Sequence, residues 1–448
     1  MIDTLAKYAT RNVPRYTSYP TVPHFSDAVG ADDYEGWLAA IDPKVPLSLY
    51  LHVPFCRQLC WYCGCNMKLA TREDKIAQYA ATLRREIGLV ADRLSGRAVI
   101  SHLHWGGGTP TTLSPRDLET AMDDVRSRFD FASDAEIAFE TDPRTLKAEM
   151  VAAIGRLGFT RASIGVQEFD PQVQAAINRV QPPEMVQKTV DMLHDEGIGC
   201  INFDLIYGLP HQTVDKLLRT IELCIAMKPS RIALFGYAHV PWMAKKQRLI
   251  DEAALPGSSE RMQQARASAK ALTDAGYVAI GLDHFALPGD PMARAVTSST
   301  LRRNFQGYTT DQAKTLLGLG ATSIGRTPSG YVQNIAEPGA WARAVEEGRL
   351  PIAKGHAFAG EDSLRGYVIE RLMCVGSVDL DEAARRFDSP LNWYQDIQED
   401  LTQMVRDGVV TQEQGRIQIT ESGAPALRVI ASLFDAYLGA NARHAIAV

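Results

Sequence analysis

The chain has 448 residues, 46% of them hydrophobic and 22% charged, and a formal net charge of −6. That length and mix suit a globular protein with one sizeable core and a smaller appended domain. The acidic balance argues against a nucleic-acid surface. No window approaches a membrane-spanning apolar run, and the first residues lack the apolar core of a secretory signal, so a cytoplasmic protein without membrane partners is expected.

The first distinctive segment is Arg11-Asn-Val-Pro-Arg-Tyr-Thr-Ser-Tyr-Pro20. Its two prolines and few apolar residues predict an extended run laid across something else, with Arg15 near its middle. From about 46 to 237, short apolar runs alternate with longer amphipathic stretches. Strands are predicted over 47–52, 99–105, 136–140, 161–166, 200–207 and 232–237, with helices between them over 74–94, 115–129, 146–157, 183–196 and 213–227. Alternation at this pitch predicts βαβ units around a parallel sheet. Six such units suffice for an open, partial β/α barrel.

Chemistry in parallel barrels sits at the C-terminal ends of the strands. Four cysteines follow the first strand and Gly106-Gly-Gly-Thr-Pro110 follows the second. Glu140 ends the third, Gln167 follows the fourth and Asp204 lies within the fifth. Later, Leu282-Asp-His-Phe285 and Arg302-Arg-Asn-Phe-Gln-Gly-Tyr-Thr-Thr310 are polar–aromatic runs suited to substrate contacts, with a solvated loop as the plainer alternative. From about 362 the pattern is mainly helical, with a hairpin around 412–415 that resembles the wing of a winged-helix module. The acidic residues Glu399, Asp400, Asp407 and Glu413 disfavour DNA there and leave a lid or substrate-side wall as the expectation. The predicted division is an N-terminal extension over the substrate site (1–45), a catalytic domain with the partial barrel (46–360) and a helical C-terminal domain (361–448).

Cys56, Cys60 and Cys63 have the spacing Cys-x3-Cys-x2-Cys, with Cys65 two residues on. Three thiolates on one short loop can each hold one iron of a cubane [4Fe–4S] cluster. The fourth iron is then free for an exogenous ligand, as reductive cleavage of S-adenosylmethionine (SAM) requires. Zinc sites usually draw on separated cysteine pairs. Disulfides are disfavoured because Cys200, Cys224 and Cys374 are scattered among apolar residues. Cys65 stays ambiguous, since it could ligate the last iron but would close it to SAM.

Around this loop, Gly106-Gly107-Gly108 permits close backbone approach to a ligand. Glu140 is either a solvated strand-end carboxylate or an acceptor for ribose hydroxyls. Asp204 sits in an apolar strand where a carboxylate is costly unless paired. Arg179 is a candidate partner for it, or for a carboxylate of substrate or cofactor. Of the flanking aromatics Tyr50, Phe55, Trp61 and Tyr62, most suit the core, but Tyr62 is placed to stack on adenine or to shield the cluster.

With these residues in hand the chain resembles the oxygen-independent coproporphyrinogen III dehydrogenases, radical SAM enzymes, over essentially its whole length. The most specific motifs are Pro14-Arg-Tyr-Thr-Ser-Tyr-Pro20, the loop from Cys56 to Asn66, His104-Trp-Gly-Gly-Gly-Thr-Pro110, Gly165-Val-Gln-Glu-Phe169, Asp204-Leu-Ile-Tyr-Gly-Leu-Pro210 and Asn304-Phe-Gln-Gly-Tyr-Thr-Thr310. The resemblance implies a radical SAM partial barrel that converts two propionates of coproporphyrinogen III to vinyls, through a 5′-deoxyadenosyl radical and loss of CO2. It implies a [4Fe–4S] cluster on Cys56, Cys60 and Cys63, two SAM molecules, and an electron donor for the cluster. Tyr50, Gly107, Glu140 and Ile324 match positions around the first SAM. Tyr62, Gly108, Thr109, Gln167, Arg179, Asp204 and Ala238 match those around the second, and Cys65 matches a position that is not a ligand. A monomer is expected.

A substrate with four propionates needs fixed cations, which an acidic chain must supply locally. Arg15, Arg302 and Arg303 are the candidates, with Phe305 and Gln306 beside them. Two rival functions share the barrel and the cluster motif: haem chaperones and radical SAM methyltransferases that open the haem ring. The chaperones usually carry His-Asn-x-x-Tyr-Trp where this chain has Arg303-Asn-Phe-Gln-Gly-Tyr308, and they lack the Arg-Tyr-Thr-Ser-Tyr-Pro run.

Overall fold

A computed structural model of the chain describes residues 7, 8 and 11–439. They form two units. The larger comprises Phe25–Pro256 with Ala313–Ala357; the smaller comprises the segment up to His24, Gly257–Gln312 and the chain from Phe358 onward.

The larger unit is built on β1 (Leu47–Val53), β2 (Val99–Gly107), β3 (Asp130–Thr141), β4 (Arg161–Gln167), β5 (Cys200–Tyr207), β6 (Arg231–Gly236), β7 (Leu316–Leu319), β8 (Ile324–Thr327), β9 (Gly330–Asn334) and β10 (Ile352–Ala357). Their order is β10-β9-β8-β7-β1-β2-β3-β4-β5-β6. Strands β1 to β6 pair in parallel, each with the next, and β7 adds in parallel to the other side of β1. Beyond it β8, β9 and β10 run antiparallel. Helices α1 (Glu73–Ala91), α2 (Pro115–Arg128), α3 (Ala148–Arg156), α4 (Pro183–Asp195) and α5 (Val214–Ala226) make the crossovers. Their starts follow local chemistry. Ser114 caps α2 by accepting the Asp117 N–H at 3.1 Å, with Pro115 at the first helical position, and α1 opens on Glu73 and Asp74.

This is the predicted open parallel α/β architecture, and the six predicted strands are all present. The third starts at Asp130 rather than 136, because its first residues (Asp-Phe-Ala-Ser-Asp-Ala) are largely solvent-facing and carry no apolar run. The strands from β7 to β10 were not predicted. They are four to six residues long and interrupted by Gly318, Gly325, Gly330 and Gly355, which erases the period-two signal.

A buried carboxylate ties this added part of the sheet to α1. Glu86 accepts hydrogen bonds from the Gly320 N–H at 2.7 Å, Asn334 Nδ2 at 2.6 Å and Trp341 Nε1 at 3.0 Å. Burial pushes its pKa up to about 7, against those three donors. The folded chain therefore holds a proton at Glu86 that the unfolded chain releases near its ordinary value of about 4.3. The stabilisation is present below the unfolded value and is lost as pH rises through about 7, on the order of 3 kcal/mol in all. The thermal midpoint should fall between pH 5 and pH 8, and Glu86→Gln should flatten that fall. An unchanged slope in the variant would assign the pH dependence elsewhere.

The smaller unit contains helices Asp362–Val375, Leu380–Arg386, Gln398–Arg406 and Leu427–Ser432 around a three-stranded sheet of Ser377–Asp379, Arg416–Ile419 and Val410–Glu413, in that order. The predicted hairpin is there. It turns through Gln414 and Gly415, both with positive φ (47° and 79°), as the strand twist demands of a two-residue turn. The run from Arg11 to Pro20 forms no helix, as expected, but it is not extended throughout: Tyr16 has φ +47° and residues 17–20 bend. One aliphatic and two aromatic side chains anchor it: Val13, Tyr16 and Tyr19 are buried in the same cluster as Leu372, Trp393 and Phe434. Tyr16 donates to Asp435 Oδ2 at 2.9 Å, and Arg428 Nε donates to the Pro14 carbonyl at 3.1 Å.

Candidate active site

The cysteine loop leaves the C-terminal end of β1. Cys60 is buried, Cys56 and Cys63 are half-buried, Cys65 is exposed, and none is in a disulfide. The Thr109 hydroxyl lies 3.5 Å from Cys56 Sγ, and the Cys65 backbone N–H points at Cys63 Sγ across 3.4 Å. Two guanidiniums reach Cys60 Sγ: Arg144 Nη2 at 3.2 Å and Arg179 Nη1 at 3.4 Å. A hydrogen bond with Cys65 draws the Cys63 thiol down to about 6, outweighing burial, with the Lys246 ammonium assisting. Burial, assisted by the charges of Cys63, Cys60 and Asp142 and opposed by the Thr109 hydrogen bond, pushes Cys56 up to about 11. Among the described residues no three ligating side chains converge on the position of one ion. Thiols spread round a loop suit a cubane, whose protein ligands go to separate irons. Three soft donors supplied with N–H and O–H groups fit an anionic iron–sulfur cluster.

The glycine run at the end of β2 is a cradle by geometry. A Cβ on Gly107, whose φ is +118°, would lie 2.6 Å from the His52 ring, and one on Gly108 would lie 2.7 Å from the Phe55 carbonyl oxygen. Glu140, at the end of β3, faces the cradle. Its Oε2 accepts the Gly107 N–H at 3.0 Å, and its Oε1 lies 3.2 Å from His104 Nε2. Its side chain remains 37% exposed, so it can take further hydrogen bonds. The Tyr50 hydroxyl is hydrogen-bonded to His52 Nδ1 at 2.9 Å, and its ring stacks on His104 at 5.9 Å. Burial pushes His52 down to about 4, so its imidazole is neutral at physiological pH. Ile324 opens β8, in the same sheet.

On the other side of the loop, Gln167 ends β4 with φ +67°, a conformation rare outside glycine and frequent at functional sites. Asp204 accepts from Ser163 Oγ at 3.0 Å and Asn202 Nδ2 at 2.9 Å. Arg179, offered as its partner, pairs with Asp142 at 3.3 Å and donates to the Gly165 carbonyl. Burial raises the Asp142 carboxyl, but Arg179 and Arg144 outweigh it and hold the group below the usual carboxylate range. Tyr62 and Ala238 are joined through buried Gln247, whose Nε2 donates to the Tyr62 carbonyl at 2.7 Å and the Ala238 carbonyl at 3.1 Å. Tyr62 and Trp61 pack on an apolar cluster that includes Ile177, Ile206 and Tyr237.

Asp142, Arg144 and Gln247 were not singled out from sequence. The first two had a signal, since Asp142-Pro-Arg144 directly follows Glu140-Thr141 at a strand end. Gln247 had none, lying in an ordinary polar run.

The substrate candidates lie in the smaller unit and differ in their surroundings. Arg302 is engaged by Glu370, with Nε–Oε1 2.6 Å and Nη2–Oε2 3.3 Å. Arg303 lies over the Tyr308 ring at 4.4 Å and donates to the Arg15 carbonyl at 3.4 Å, while its Nε and Nη1 are buried without hydrogen-bond partners. Asp283 faces it, paired with His284 Nδ1 at 2.7 Å and held below the usual range, against burial, by His284, Arg303 and Arg15. Phe305 and Gln306 form the tip of the hairpin Arg302–Asn304 / Gly307–Thr309, with Gln306 exposed. The side chain of Arg15 is exposed.

A partial parallel α/β barrel with a three-cysteine loop at its first strand end defines a radical SAM protein. The Radical SAM superfamily model matches residues 50–224, and the HemN C-terminal domain model matches 359–425. The chain is 48% identical to the "Oxygen-independent coproporphyrinogen III oxidase" of Bradyrhizobium diazoefficiens over 97% of both chains. It is 43% identical to "Coproporphyrinogen III oxidase, anaerobic 1" of Cereibacter sphaeroides, over 99% of this chain and 98% of the relative. The solved structure of Escherichia coli coproporphyrinogen III oxidase (HemN), described as a radical SAM enzyme, superposes with a TM-score of 0.91 at 35% identity, covering 96% of this chain and all of that one. The chain belongs to the oxygen-independent coproporphyrinogen III oxidase family. Membership implies a [4Fe–4S] cluster and SAM. No described helix is long and apolar enough to cross a membrane.

Proposed function

We propose that this protein catalyses the oxidative decarboxylation of two propionates of coproporphyrinogen III to vinyls, giving protoporphyrinogen IX without oxygen. The observation that carries the reading is the placement of the cysteine loop, the glycine cradle and Glu140 on adjacent strand ends, in a chain matched over 97% of its length by a named coproporphyrinogen III oxidase. Cys56, Cys60 and Cys63 hold the cluster, and Cys65 does not. Tyr50, Gly107, Glu140 and Ile324 hold the SAM on the cluster. Tyr62, Gly108, Thr109, Gln167, Arg179, Asp204 and Ala238 hold a second.

Held there, and given a low-potential one-electron donor, the cluster and SAM would supply the one-electron chemistry needed to activate a propionate C–H bond. The chain's own part is to bind and orient. Glu140 offers carboxylate oxygens to ribose hydroxyls while the Gly107 N–H fixes its direction. The Gly107–Gly108 backbone admits the ligand where any side chain would collide with His52 or Phe55.

Anaerobic incubation of the reduced protein with coproporphyrinogen III and SAM, and separately with haem and SAM, tests the reading. CO2 and a vinyl product are expected from the first and no change from the second. Haem retention or ring opening, without CO2 from coproporphyrinogen, would move the protein to another function.

Arg303 and Arg15 are proposed to receive propionates, with Phe305 and Gln306 adjoining them. Of the two hairpin arginines, Arg302 is already occupied by Glu370. Arg303→Gln should therefore weaken substrate binding by about tenfold to a hundredfold, from the roughly 1.5–3 kcal/mol of a charged hydrogen bond, with iron content unchanged. Fluorescence quenching by oxidised coproporphyrin measures it, and equal affinity in the variant would remove Arg303 from the site.

A further inference from the structure

Beside Cys60 lies a buried triad with an excess positive charge. Arg144, Asp142 and Arg179 have side chains that are 4%, 10% and 6% exposed. Arg144 clamps the carboxylate through Nε (3.0 Å to Oδ1) and Nη2 (2.6 Å to Oδ2), and Arg179 Nη1 lies 3.3 Å from the same Oδ2. Two cations share one anion, which leaves one positive charge in a place closed to water. Buried charge is costly unless it is paired. Both guanidiniums direct an N–H at one further acceptor, the Sγ of Cys60, from 3.2 Å and 3.4 Å. A neutral thiol is a weak acceptor and cannot balance a full charge. A thiolate bound to an anionic iron–sulfur cluster can. The triad is built for an anion at Cys60, and the balance shifts further in its favour when that anion gains an electron.

We infer that the Arg144–Asp142–Arg179 triad sets the reduction potential of the cluster, with Arg144 as the dedicated tuning residue. The inference rests on the reading that Cys60 ligates the cluster. One electron enters the cluster from a low-potential donor and adds one negative charge. N–H···S hydrogen bonds and a nearby positive charge stabilise that reduced state, and net charge and hydrogen bonding to sulfur are recognised determinants of cluster potential. Asp142 opposes the two arginines and holds the potential below what they alone would give. Arg179 also lies among the residues matched to the second SAM, so Arg144 and Asp142 separate the two roles.

Potentiometric titration of the full-length, reconstituted protein, followed by electron paramagnetic resonance of the reduced cluster, tests the inference in Arg144→Met, Arg144→Lys and Asp142→Asn. Iron and sulfide quantitation runs alongside. Arg144→Met should make the reduced cluster at least tenfold less populated at a fixed potential, a downward shift of at least about 59 mV for one electron. Arg144→Lys keeps the charge and should stay closer to the parent than Met does. Asp142→Asn removes the opposing charge and should shift the potential upward. The opposite signs distinguish electrostatic tuning from loosened packing, which would not order the variants by charge. A parent-like potential in a cluster-bearing Arg144→Met, or a downward shift in Asp142→Asn, overturns the inference. If Arg144→Met retains no cluster, the sign of the Asp142→Asn shift decides. A parent protein that binds no [4Fe–4S] cluster at all would instead overturn the reading on which the inference rests.

Discussion

Single replacement of Cys56, Cys60 or Cys63 by serine should abolish cluster binding and turnover, whereas Cys65→Ser should keep a full cluster. Each of the three would supply a different iron, so no remaining thiolate on the loop can substitute for a lost one without distortion. A serine hydroxyl is a harder ligand than the thiolate it replaces. Cys65 differs in its position. It is exposed, and it serves Cys63 through its backbone N–H, 3.4 Å from the sulfur, which serine retains. Its thiol also interacts with Cys63, so the cluster of Cys65→Ser should be retained with an altered spectrum. Anaerobic iron and sulfide quantitation measures the effect. A cluster-free Cys65→Ser protein, or a Cys60→Ser protein with full iron, would sink the ligand assignment.

Glu140→Gln should weaken SAM binding by about tenfold to a hundredfold and leave iron content intact. A hydrogen bond to a charged group contributes roughly 1.5–3 kcal/mol, and each 1.4 kcal/mol is a factor of about ten. The glutamine can still accept the Gly107 N–H on one oxygen, so the cradle should keep its shape. What it lacks is the second anionic oxygen, the one now facing His104. Equilibrium binding of SAM to the reconstituted protein reads the difference directly. Parent-like affinity would show Glu140 to be a solvated strand-end carboxylate.

The sequence was most legible where the chemistry is local. The cysteine spacing, the glycine run and the carboxylate at the end of β3 are read from adjacent residues, and the period of the apolar runs locates the six parallel strands. What stayed hidden depends on tertiary contacts. Pairing of Arg179 with Asp142 joins residues 37 positions apart, and Arg144 reaches a sulfur 84 positions back. Gln247 serves the cysteine loop from 185 residues away, by hydrogen bonds that no pattern announces. The strands from β7 to β10 carry too few residues between glycines to show a period. In the N-terminal run the prolines announced a non-helical path laid across something, but no pattern in the sequence marked Val13, Tyr16 and Tyr19 as the side chains that bury it. Removing that run would therefore unsettle the core it packs on, and single substitution of Arg15 is the cleaner probe of its part in the chemistry.

On the function proposed above, SAM cleavage is spent on decarboxylating coproporphyrinogen III. The most direct test is one anaerobic time course with dithionite as electron donor, in which CO2, 5′-deoxyadenosine and protoporphyrinogen IX are counted together. The expected result is two CO2 for each protoporphyrinogen formed, with 5′-deoxyadenosine rising alongside and all three lost in Cys60→Ser. Deoxyadenosine without CO2, or CO2 without SAM consumption, would rule that function out.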